Sequence, residues 1–166
     1  MKKGIVGIIS ILLTVTIVVG QDAETSASTK KPSRVSSTDV YEAVVRYQIK
    51  SWELTADSYC VEVNGKDAGQ ELLSRLEPLP VKPASGCHKQ TRSVMPAFKT
   101  MEVIDKKTKK RAVIFDIEKI LWRSETGADV EGGYTCASLC MAGGTYHVVW
   151  DGSRWVVSGF DIRVQS

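Results

Sequence analysis

The chain reads as an α+β domain in which an N-terminal helix packs on a curled antiparallel β-meander. Three observations predict this. Apolar residues between positions 38 and 55 recur at helical spacing, those from Lys99 onward alternate in strand fashion, and short turn sequences such as Asp151-Gly152 separate the alternating stretches. Helices first and a long sheet afterwards segregate into two layers, with one sheet face buried beneath the helices.

The first twenty residues stand apart from that domain. Lys2 and Lys3 precede an uncharged run from Gly4 to Gly20 rich in Ile, Leu and Val, after which Gln21 and Asp22 return the chain to polarity. This is the pattern of an export signal, and residues 1–20 are expected to act as a signal peptide or as a membrane anchor. Residues 21–37 are almost devoid of apolar side chains and are expected to form a flexible linker. The single α+β domain is then expected over 38–166, since 166 residues leave room for one hydrophobic core.

Within the domain, Asp39 followed by Glu42 suggests a capped helix start, and Val40, Tyr41, Val44, Val45, Gln48 and Trp52 mark one side of a helix over 38–55. A short strand over 59–63, a turn at Asn64-Gly65 and a brief helix capped by Asp67 and carrying Leu72, Leu73 and Leu76 come next. Pro78 stops that helix, and Pro80 and Pro83 confine any strand at Val81 to an edge. Strands over 102–104 and 111–122 flank the basic turn 105–109. In the second of them Val113, Phe115 and Ile117 alternate, whereas Ile120 and Trp122 continue on the opposite parity, which predicts a β-bulge at Glu118-Lys119. Strands over 128–136, 145–150 and 154–164 complete the meander, the last two joined by an Asp151-Gly152 hairpin turn.

The net charge of +3 could suggest an anionic partner, but residues 1–37 hold five basic and two acidic side chains and so carry all of it. The domain itself balances seventeen basic against seventeen acidic residues, without the basic footprint that nucleic acid requires. The cluster Lys106, Lys107, Lys109, Lys110 and Arg111 reads as a solvated hairpin tip. Membrane contact is expected only through the N-terminal segment.

The order of one long helix followed by a curled meander is similar, as an analogy of architecture, to the NTF2-like and cystatin-like folds. The runs RYQIKSW at 46–52, VNGKD at 63–67, EGGY at 131–134, TYHVV at 145–149 and DGSRWVV at 151–157 resemble a group of small exported bacterial proteins without an assigned activity. That resemblance spans about 41–166. It implies an exported, periplasmic or secreted bacterial protein and transfers no catalytic residue.

Four cysteines, Cys60, Cys87, Cys136 and Cys140, follow the export signal, and their even number favours disulfides. Three pairings are possible. In a straight strand Cys136 and Cys140 would stand roughly 13 Å apart, too far to bridge. A turn at Ala137-Ser138-Leu139 permits that bridge, which favours Cys136 with Cys140 and Cys60 with Cys87. Zinc is not expected: Cys136, Cys140 and His147 lack a second close ligand pair, and His88 beside Cys87 reads as a loop residue. Neither thiol redox chemistry, which favours C-x-x-C at a helix start, nor a serine-hydrolase or zinc-protease motif finds its pattern here. No cofactor is expected.

Two functional readings follow. The first is an exported, envelope-associated domain with a binding or structural role, not an enzyme, whose partner is a small apolar ligand or an envelope protein. Its candidate pocket is formed by Trp52, Trp122, Tyr134 and Tyr146 on the concave sheet face. The alternative is a hydrolase or isomerase working in an NTF2-like cavity with Asp57, Asp116, Glu118 and Glu131 as acids and bases.

Overall fold

The computed structural model describes residues 36–95 and 98–166. The expected signal or anchor, and the expected linker up to residue 35, lie outside the described residues. Among the described residues no helix is long and apolar enough to cross a membrane.

Helix α1 spans Ser37–Ser51. It is capped by Ser36, whose Oγ accepts the Thr38 N–H at 3.2 Å, so the expected linker boundary at 37 falls just inside the helix start. Asp39 and Glu42 serve a different purpose from the expected cap. Arg75, at the end of helix α2 (Gln70–Arg75), donates to Asp39 and lies 3.9 Å from Glu42, clamping the two helices together. The helix stops four residues short of the expected 55, because Glu53 turns left-handed at φ 47° and the Leu54 N–H bonds back to the Ile49 carbonyl. Val40, Val44, Val45 and Gln48 form its buried stripe.

The strands are β1 (Ser58–Val63), β2 (Lys66–Asp67), β3 (Val81–Pro83), β4 (Cys87–Met95), β5 (Phe98–Asp105), β6 (Ala112–Ser124), β7 (Gly127–Ala137), β8 (Cys140–Trp150) and β9 (Trp155–Gln165). From β6 to β9 successive strands are antiparallel neighbours, the meander expected from the alternation. Elsewhere the purely antiparallel expectation is corrected. β1 runs parallel to β6 along Ser58–Val63 and parallel to β3, so the sheet is mixed and unclosed. Local patterning signals hairpins, whereas the β1–β6 pair joins segments separated by α2 and a hairpin, a partnership no short window contains.

Three details depart from expectation for identifiable reasons. β4, expected to be loop, is a nine-residue strand; its run His88-Lys89-Gln90-Thr91-Arg92-Ser93 has no apolar alternation because it is the outer arm of a hairpin with β5. Asp67 lies in β2 and not at a helix cap, where its carboxylate accepts the Ser85 N–H at 2.7 Å and the Ser85 hydroxyl at 2.6 Å. The β8–β9 connection is longer than an Asp-Gly turn, since Trp150 pairs with Trp155 across four intervening residues. Gly152 still supplies a left-handed φ of 101°, and Asp151 Oδ1 gathers the N–H groups of Ser153 and Arg154. The bulge expected in β6 is present: register shifts between Ile117 and Lys119, leaving Glu118 as the extra residue.

Two apolar clusters flank the sheet. The main core places Val113, Phe115, Ile117, Trp122, Val130, Tyr134, Tyr146 and Val148 beneath α1 and α2. On the opposite face the β4–β5 hairpin folds over β1 and the start of β6, enclosing Cys60, Cys87, Val103 and Ala112. The hairpin meets the main sheet in backbone pairing at Glu102 and Ala137, with a further bridge between Ile104 and Arg111.

Candidate functional site

Both expected disulfides are present. Cys60–Cys87 pins the start of β4 to β1, and Cys136–Cys140 closes the turn between β7 and β8, with Cα separations of 6.1 and 5.3 Å. With both bridges formed, no free cysteine remains among the described residues, and no group of His, Cys, Asp or Glu there is arranged to hold a metal ion.

The four aromatic residues named as pocket candidates lie in the main core. Trp52 packs on Tyr134 at 5.7 Å and on Phe160 at 5.9 Å between ring centroids, and Phe160 stacks on Tyr146 at 4.3 Å. Gln48 Nε2 donates to the Tyr146 hydroxyl at 2.9 Å, and burial pushes that phenol's pKa up. Trp122 sits away from these three, against Trp155. The rings fill the space beneath the helix with one another.

The open concavity lies one layer further out. Between the exposed side of α1 and the tip of the β8–β9 hairpin runs a groove of about 630 Å³, floored by Tyr47, Trp155 and Val157 and edged by Trp150. Trp150 is 41% exposed and meets Trp155 edge-on at 6.0 Å. Four cations line the groove, Arg46, Lys50, Arg75 and Arg154, against the two anions Asp39 and Glu42. Arg75 and Arg46 are matched with Asp39 and Glu42, Arg46 Nε lying 2.8 Å from Glu42. Lys50 has no acidic partner among the described residues, and Arg154 only approaches Asp151 at 3.7 Å. The free charge of the groove is therefore positive, and it sits beside an exposed indole. Trp150 and Trp155 are visible in the sequence as aromatic residues. Their convergence with one face of α1 is not, because it depends on which strand the helix crosses.

The outer face of the sheet carries a second constellation. His147 on β8 stands between two carboxylates, Nδ1 at 3.0 Å from Asp129 on β7 and Nε2 at 2.9 Å from Asp161 on β9. Arg123 on β6 donates to Asp129 Oδ2 at 2.8 Å through Nε. A line of alternating charge thus crosses four strands. The bond to Asp129, then that to Asp161, raises the His147 pKa; burial works to raise that of Asp129, but the bonds from Arg123 and His147 outweigh it and hold the carboxyl low. The sequence shows His147 only as a strand residue between Tyr146 and Val148; its neighbours across the sheet follow from register.

Of the carboxylates considered for acid–base work, Asp57 pairs with Lys110 at 3.3 Å, and Glu118 and Glu131 lie 3.8 and 3.9 Å from Arg163. Asp116 is the exception, its pKa raised by burial and by the nearby Glu118. Asp105, at the head of the basic turn, is fully buried. It accepts hydrogen bonds from Lys82, from Ser58 Oγ at 2.7 Å and from the N–H groups of Lys107 and Thr108, and the bond from Lys82 leads in holding its carboxyl well below the usual range. It locks the turn to β1 and β3. Comparison with protein-family models, with curated proteins and with solved structures finds no match for this chain.

Proposed function

We propose that this chain is an exported, envelope-associated binding domain whose ligand site is the groove between α1 and the β8–β9 hairpin. Its ligand carries a flat apolar face and an anionic group. The observation that carries the reading is Trp150, an indole left 41% exposed at the groove edge, with Lys50 and the loosely paired Arg154 along the same groove. Exposed aromatic surface in a concavity is a recognition feature, and an excess of cations along it selects for negative charge. Export is supported by the two disulfides and by the apolar sequence of residues 4–20. The hydrolase or isomerase reading has Asp116 in its favour, but Asp57, Glu118 and Glu131, which it would also use, are directed toward cations.

Calorimetric titration of the full chain with 2-naphthoate, and in parallel with its uncharged amide, tests the site. The expected result is binding of the naphthoate that is abolished by Trp150→Ala and weakened about tenfold by Lys50→Glu, with the amide binding more weakly. Unchanged binding to the Trp150→Ala protein, or equal binding of acid and amide, would overturn the assignment.

A further inference from the structure

Strand β9 forms an edge of the sheet, for among the described residues it pairs only with β8. Edge strands expose a row of unpaired backbone groups, and proteins commonly shield them with charge or with a covering element. In the last part of β9 every residue from Asp161 to Gln165 is exposed, including Ile162 at 52% and Val164 at 53%. The charges there are one of each sign, Asp161 and Arg163, placed on either side of Ile162. A guard against pairing would repeat a single sign, so that two copies repel. Opposite signs on either side of an apolar residue do the reverse when two such strands run antiparallel.

The outer face adds a second argument. The line Arg123, Asp129, His147, Asp161 alternates plus and minus across β6, β7, β8 and β9 and ends at the sheet edge on a carboxylate. Asp161 uses Oδ2 toward His147, and its side chain is 78% exposed. Arg163 faces the same side, where Glu118 and Glu131 come no nearer than 3.8 and 3.9 Å. Each edge thus offers one anion with an oxygen to spare and one cation held only loosely.

We propose that β9 is a self-recognition edge: it pairs antiparallel with β9 of a second copy about a two-fold axis at Ile162, so that Asp161 of each copy meets Arg163 of the other. Ile162 then lies opposite Ile162 of the second copy, on the sheet face occupied by the helix. Strand alternation puts Arg163 on the outer face with Asp161, as its approach to Glu118 and Glu131 shows, and there it meets the second copy's Asp161. Pairing over residues 159–165 leaves Trp155 and Val157 uncovered, so the groove of each copy stays open. So short a strand pair corresponds to a transient dimer and not an obligate one.

The test uses the full chain with a single added thiol, since the four native cysteines are bridged. Across an antiparallel pair centred on residue 162, the two Cα atoms at that position stand roughly 4.5–5.5 Å apart, within disulfide reach. Ile162→Cys is therefore expected to give a covalent dimer under mild added oxidant, while Ser158→Cys, exposed on the same strand but out of register with itself, gives little. In sedimentation equilibrium Arg163→Glu should weaken the dimer by roughly tenfold, because it sets like charges opposite each other twice. Adding Asp161→Arg to Arg163→Glu should restore it. Thermal melts of each variant separate a lost dimer from a lost fold. The proposal is overturned if the wild-type chain sediments as a monomer at every concentration, if Ile162→Cys cross-links no better than Ser158→Cys, if it cross-links to a different protein instead of to itself, or if the double reversal fails to restore what Arg163→Glu removes.

Discussion

His147 has a carboxylate oxygen within hydrogen-bond distance of each ring nitrogen, an arrangement satisfied only when both nitrogens carry hydrogen, that is, by the imidazolium. Its folded-state pKa is accordingly raised by the bonds to Asp129 and Asp161, above an unfolded value of about 6.5. The sign of the linkage follows. The unfolded chain releases this proton first as pH climbs, so the stabilisation is fully present below about pH 6.5 and is lost as pH rises through the raised folded value. The charged groups facing the ring are Asp129 and Asp161, with Arg123 beyond Asp129. Denaturant midpoints measured from pH 6 to pH 9 are expected to fall for the wild-type chain and to stay nearly flat for His147→Gln. Parallel curves for the two proteins would show that the imidazolium contributes nothing.

Each element was legible in the sequence to the extent that its signal is local. α1 shows because four buried residues repeat at helical spacing, and the bulge in β6 shows because Ile117 and Ile120 change parity within one strand. The turn at Asn64-Gly65 shows because both residues tolerate the left-handed φ values, 52° and 71°, that they adopt. β4 was hidden because an outer hairpin arm has little reason to alternate, and the parallel β1–β6 pair because its two halves lie far apart along the chain. The candidate site was hidden for the same reason as the parallel pair. Trp52, Tyr134 and Tyr146 were identifiable as large rings, but whether rings line a cavity or fill it depends on how closely the helix settles on the sheet. Gly144 shows how closely the strands themselves approach: a Cβ at this position would collide with the Asp161 carbonyl and come within 2.9 Å of the Phe160 ring. Gly144→Ala should therefore destabilise by about 1–3 kcal/mol, read as a lower denaturant midpoint with unchanged slope. A neutral substitution would mean that β9 can withdraw from β8 without loss.

Across the whole molecule the two disulfides do unequal work. Cys60 and Cys87 are 27 positions apart and join the main sheet to the β4–β5 arm, whereas Cys136 and Cys140 are 4 apart and close one turn. Chain-entropy reasoning assigns about 3.6 kcal/mol to the first bridge and about 2 kcal/mol to the second. The larger value is a substantial part of the 5–15 kcal/mol or so that holds a domain of this size folded. Replacing Cys60 and Cys87 together by Ser should thus lower the urea midpoint more than replacing Cys136 and Cys140. The opposite order would show that the β4–β5 arm is held by its own packing around Val103 and Ala112.

The contact between α1 and β9 reaches from one end of the domain to the other. The buried stripe of the first helix belongs to the same core as Trp155, Val157 and Phe160, which lie on the last strand of the sheet. No fragment that ends before β9 contains a finished core, so a chain still emerging from the ribosome has nothing complete to fold into. Folding must wait for β9 and then depends on contacts of long sequence separation, the kind that form slowly. That delay leaves the apolar faces of α1 and of strands β6 to β8 uncovered until β9 has been made.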